Sequence, residues 1–150
     1  MKNTPKDEKL EEVLYSSKIV AGGFMGTDSR SLHEIIDSDA AVLEKLGYTH
    51  HQIAERMQHI IDIAKAALGN PVKVDENIQA RTEEAKGPLI CPWPHPGTFV
   101  KRVTITKNTT SQQTIKWSDL NIHLIKEHYF FEGKGAAYRL EPEKLIEIIF

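Results

Sequence analysis

Apolar positions in the first half of the chain recur at helical spacing. Leu10, Val13, Leu14 and Val20 follow a charged opening and predict a first helix, which Gly22, Gly23 and Gly26 end. Thr27, Asp28 and Ser29 are N-cap residue types, and Leu32, Ile35, Ile36, Leu43 and Leu46 then form one stripe that stops at Gly47. Thr49 is placed to cap a third helix. Its stripe of Ile53, Met57, Ile60, Ile61, Ala64 and Leu68 is the cleanest in the chain and closes at Gly69, Asn70 and Pro71. Beyond Pro71 the period falls to two: Val72, Val74, Ile78, Ala80 and Thr82 alternate with Lys73, Asp75, Asn77, Gln79, Arg81 and Glu83. Glu76 is the one residue out of step. A strand is therefore expected over 72–83, and β-branched and aromatic residues over 99–107 and 113–117 predict a hairpin around the polar stretch 108–112. Ser118 suits the cap of a helix carrying Leu120, Leu124, Ile125 and Tyr129. Asp119 lies near its positive end and Gly133 is its expected stop. A short extended piece at 138–140 and a terminal helix opened by Pro142, with an apolar end over 145–150, complete the pattern.

The fold class implied is α+β, with three N-terminal helices packed on a small, mainly antiparallel sheet, a hairpin followed by a helix, and a short C-terminal helix. One domain over 1–150 is expected, helical over 1–70 and sheet plus helix over 71–150, since Gly69 to Pro71 is too short for a free linker. At 150 residues a chain buries enough surface to build a core without staples. Its single cysteine, Cys91, excludes a disulfide scaffold. No apolar run approaches the roughly 18 residues of a membrane span, and the opening MKNTPKDEKLEE has no hydrophobic signal region, so a cytoplasmic protein with no membrane partner is expected. Nineteen basic and 21 acidic residues give a net charge of −2, which provides no global field for nucleic acid.

One segment has unusual chemistry. Four of the seven prolines, Pro88, Pro92, Pro94 and Pro96, fall in GPLICPWPHPG, residues 87–97, where fixed φ angles and missing donors argue against regular structure and for a stiff loop. That loop carries Cys91 and His95. Thiolate and imidazole are donors zinc prefers, and rigidity lowers the cost of ordering them. His123 and His128, in the helical sequence HLIKEH, are the expected second half of a zinc site. The order Cys, His, hairpin, helix with two histidines resembles the Cys2His2 zinc finger over residues 91–128. Here His95 replaces the second cysteine, and 27 residues separate the pairs where about 12 are usual. Five residues at about 100° each set His123 and His128 roughly 140° apart on an ideal helix, so a shared metal requires a distorted last turn. Four protein ligands would make the site structural; three with a water would leave it open for chemistry.

The leading expectation is a binding or interaction protein with a zinc-pinned loop and no assigned small ligand. The competing one is a small enzyme, with zinc or with Cys91 as nucleophile, a nearby histidine as base and Glu127 or Asp119 orienting it. Lys101, Arg102, Lys107 and Lys116 make 98–118 locally basic beside Phe99 and Trp117, a weaker pointer to nucleic acid. Trp93, Phe130, Phe131 and the tail Ile148, Ile149 and Phe150 are candidate contact residues, the tail for self-association. His51, Glu55, His59 and Asp62 line one face of the third helix, which a solvated face of i, i+4 neighbours explains. The loop GGFMGTDSR and Glu132 to Gly135 are possible anion nests, read more simply as a cap and a helix stop.

Overall fold

In the computed structural model, residues 4–15 and 23–150 are described. The expected helix positions Val20 and Gly22 lie outside them. The order is α1 (Pro5–Tyr15), α2 (Leu32–Leu46), α3 (His50–Ala64) with a short 3-10 turn (Lys65–Ala67), β1 (Val72–Asp75), β2 (Ile78–Leu89), β3 (Phe99–Asn108), β4 (Thr114–Ser118), α4 (Asp119–His128) and α5 (Pro142–Ile149). The strands form one antiparallel meander in the order β1-β2-β3-β4, and the fold is α+β. No described helix is long and apolar enough to cross a membrane.

Capping boxes start three helices. Ser31, Thr49 and Ser118 each accept from the backbone N–H three residues on, and Glu34, Gln52 and Asn121 bond back to the cap. Ser31 therefore does what Thr27, Asp28 and Ser29 were expected to do. Asp28 instead bonds Arg30 and the Lys134 N–H. The α3 stripe is buried from Ile53 to Ala64, where Ile53, Met57, Ile60 and Ile61 pack with Trp117, Phe131 and the α5 residues Leu145, Ile148 and Ile149; Leu68, expected on the same stripe, lies past the helix end with φ 52 and is 89% exposed. Each such side chain contributes roughly 2 kcal/mol on burial. A second cluster gathers Leu14, Phe24, Met25, Ile35, Cys91, Leu124 and Phe130. Helix α4 joins the two clusters, placing Ile122 and Ile125 in the first and Leu120 and Leu124 in the second.

Several expectations need correction. The strand 72–83 is two strands, because Glu76 marks a turn: Asp75 faces Ile78, and the Asp75 carboxylate accepts from the Asn77 N–H. β2 then runs on to Leu89, past Pro88, which pairs with Val100. β1 ends its pairing at Ala80, so Pro88 lies where β2 has a free edge and needs no donor on that side. Helix α4 stops at Tyr129, not Gly133; Tyr129 adopts φ 57 and its N–H bonds Ile125 and Leu124. Gly133 is required for a different reason, since a Cβ there would sit 2.3 Å from the Met25 carbonyl oxygen. Residues 138–140 form no strand. Phe130, Phe131, Ile148 and Ile149 are wholly buried within the chain, so among these candidate contact residues only Trp93 and Phe150 reach solvent. His51, Glu55, His59 and Asp62 are exposed.

Candidate metal centre

The loop 90–98 connects β2 to β3, and its ends are fixed by the pairing of Leu89 with Phe99. With so many prolines it has few backbone donors, and the His95 N–H bonds the Trp93 carbonyl at 2.9 Å. The loop folds back against the C-terminal half of α4. This brings Cys91, His95, His123 and His128 together, with one donor atom from each lying within 4.8 Å of every other. Cys91 Sγ is 3.4 Å from His128 Nε2, His128 Nε2 is 3.3 Å from His95 Nε2, and His95 Nε2 is 3.0 Å from His123 Nε2. The cluster could hold a metal ion.

Hydrogen bonding alone satisfies this arrangement poorly. His95 Nδ1 is 3.1 Å from the Pro96 carbonyl oxygen, which can only accept, so the proton of the neutral ring sits on Nδ1 and Nε2 presents a lone pair. That is the tautomer a metal ligand needs, held by an outer hydrogen bond. The bare His95 nitrogen then faces two further imidazole nitrogens at hydrogen-bond distance. Three of the six separations lie near the edges of a small tetrahedron, and all six are within 4.8 Å. Bond lengths of about 2.05 Å to nitrogen and about 2.3 Å to sulfur give edges of about 3.3 Å and about 3.6 Å.

The rings are clamped from outside. Trp93 stacks on His128 with centroids 4.1 Å apart and planes 8° from parallel, and Phe99 lies 4.5 Å from the His123 ring. Cys91 is buried, while His123 and His128 are half-buried. Burial lowers both of these histidines, and neighbouring imidazoles add to it, so His128 falls to about 4 and both rings are neutral near pH 7. Burial raises the Cys91 thiol, partly offset by the Trp93 N–H. A thiol raised in this way is not an activated nucleophile. Asp119 bonds Arg102 at the opposite end of α4 from His128, and it does not orient the histidines.

The structure brings together all four residues singled out from the sequence. The expected distortion of the last turn is not needed, because α4 remains helical to His128 and the chain turns away at Tyr129. His128 is the last helical residue, and ring reach closes the angular gap; the His123 and His128 centroids are 5.1 Å apart. Sequence reasoning missed Phe99 as a clamp and Glu132 as a buried carboxyl. Glu132 has only 4% of its surface exposed and lines a cleft of about 470 Å³ beside the second core cluster. Nothing in the spacing around it signals this.

Comparison with family models, curated proteins and solved structures gives no match.

Proposed function

We propose that this chain is a small binding protein in which Cys91, His95, His123 and His128 hold one structural zinc ion. The observation that carries the reading is the meeting of one thiol and three imidazole nitrogens, all within 4.8 Å of one another and three of the separations near tetrahedral edges. A mixed sulfur and nitrogen set with no carboxylate suits zinc better than magnesium or calcium, which prefer oxygen. Four protein ligands leave no open position, which favours a structural role over hydrolytic chemistry. An unpaired cysteine fits the reducing cytoplasm.

The metal's work follows from where its ligands lie. It ties the tip of the β2–β3 connection to α4, and Leu89, where β2 enters that connection, and Leu120 of α4 also wall the cleft. Zinc would thus fix the cleft's shape. The test is elemental analysis of the untagged full-length chain after zinc reconstitution and desalting. One zinc per chain is expected, falling to background in Cys91→Ala and His123→Ala. Wild-type protein that retains no zinc, or variants that retain it fully, would overturn the reading.

A further inference from the structure

The cleft lies between β2, β3, the first turn of α4 and the segments carrying Phe24 and Tyr138. Its volume of about 470 Å³ falls in the range of small-molecule sites. Phe24, Pro88, Leu89, Leu120 and Ala137 supply an apolar lining. Glu132 is the buried ionisable group among the lining residues. Its Oε2 accepts from Asn121 Nδ2 at 2.9 Å, and its Oε1 has no hydrogen-bond partner among the described residues.

Among the described residues Glu132 has no counter-ion. Arg139 approaches, but Nη1 bonds the main-chain oxygen of Glu132 and Asp39, and Nη2 bonds Asp39 and Glu141. Arg102 in the cleft wall is shared between Glu84 and Asp119. Glu83 bonds Arg81, which leaves Lys101 as the lining cation with no ion pair among the described residues, on an exposed side chain. A largely apolar cleft with one buried carboxyl that has no ion pair among the described residues is complementary to an apolar body bearing a positive charge.

We propose that this cleft binds a small organic cation, a primary ammonium on an apolar body, with the ammonium on Glu132 Oε1. The proposal rests on the reading of the chain as a binding protein and names its ligand class; the metal is a separate question. Burial raises the Glu132 carboxyl to about 8, against the smaller opposing effects of Asn121 and Arg139, so near pH 7 it carries a proton. When the ammonium arrives, the carboxyl O–H proton leaves to the buffer and a carboxylate–ammonium pair remains. Binding is thus coupled to release of close to one proton.

The test uses three probes with one tail and three heads, hexylammonium, 1-hexanol and hexanoate, titrated at pH 7 into the zinc-reconstituted full-length chain. Amide NMR shifts at Phe24, Leu120 and Ala137 report the site, and calorimetry in two buffers of different ionisation enthalpy reports the proton. Hexylammonium should bind with release of a proton, at least about tenfold more tightly than either other probe, and Glu132→Gln should weaken it by about tenfold or more. Ala137→Trp, which fills the lining from an exposed position, should abolish the shifts and serves if the Gln variant fails to fold. Equal or tighter binding of hexanoate or hexanol, an unaffected Gln variant, persistence in the Trp variant, or no hexylammonium binding up to about 10 mM would overturn the proposal. Zinc content measured on the same samples separates this failure from failure of the metal reading.

Discussion

The indole of Trp93 lies flat on the imidazole of His128, with planes 8° apart and centroids at 4.1 Å, and it forms a T-shaped pair with Phe130, centroids 5.6 Å apart. A loop residue two positions after Cys91 thereby fixes the ring orientation of the most distant histidine in the set. Removing such an outer support typically costs 10- to 100-fold in metal affinity. Trp93→Ala should therefore weaken zinc binding by roughly tenfold in chelator competition, while Trp93→Phe restores most of it.

Metal removal should be felt by the fold as a whole, because the ligands tie the β2–β3 connection to α4, which feeds both core clusters. With zinc at about 1,000 times its Kd the linkage is about 4 kcal/mol, or a Tm shift on the order of 10 °C for a chain of this length. Scanning calorimetry with and without a chelator should show that drop in the wild type. Cys91→Ala should melt near the chelated temperature and ignore the chelator.

Arg139 and Asp39 form a buried two-pronged pair, Nη1 to Oδ2 at 2.5 Å and Nη2 to Oδ1 at 2.9 Å, with side chains 7% and 5% exposed. The pair joins α2 to the segment before α5. Arg139→Leu would leave the Asp39 carboxylate buried without its partner, so urea denaturation should show a loss of about 3–5 kcal/mol.

Glu132 sets the alkaline side of the stability curve. Its folded value, raised to about 8 from 4.5, means that the folded state holds the proton more tightly than the unfolded chain. Its stabilising contribution is full below about pH 4.5 and is lost progressively as pH rises through 8. The span is a few kcal/mol. Asp28 has the opposite sign: the Arg30 guanidinium holds it well below the usual carboxylate range, so its contribution is present above about pH 4 and lost in acid. Below about pH 6.5 the lowered His123 and His128 oppose this slope, so the test lies above their range: urea midpoints from pH 7 to 8 should fall in the wild type, and Glu132→Gln should flatten that slope and be the more stable protein at pH 8.

Much of this fold is legible in the sequence where one physical signal dominates. The α3 stripe, the Thr49 and Ser118 caps and the β3–β4 hairpin follow from period and residue type. The Cys91, His95, His123 and His128 meeting is also legible, because a stiff loop and a helix each offer two ligands with the thiolate and imidazole donors zinc prefers. Elsewhere tertiary contacts decided the outcome. The turn at Glu76 carries no Asn-Gly or Asp-Gly signal; the Asp75 carboxylate closes it on the Asn77 N–H, and β2 returns along β1, whose Val72 and Val74 pack against the cluster that holds the α3 stripe. Tyr129 takes a left-handed conformation that favours glycine, and the two residues after it, Phe130 and Phe131, enter different core clusters. Glu132, next in the chain, is carried inward with them. No pattern of neighbouring residues announces a carboxyl buried in that way.

The most direct measurement is zinc K-edge absorption on the reconstituted full-length chain. A four-coordinate ion is expected, with one sulfur at about 2.3 Å and three imidazole nitrogens at about 2.0 Å. The sulfur shell should vanish in Cys91→Ser. A first shell without sulfur, or one completed by water oxygen in place of an imidazole, would contradict the four-ligand zinc site.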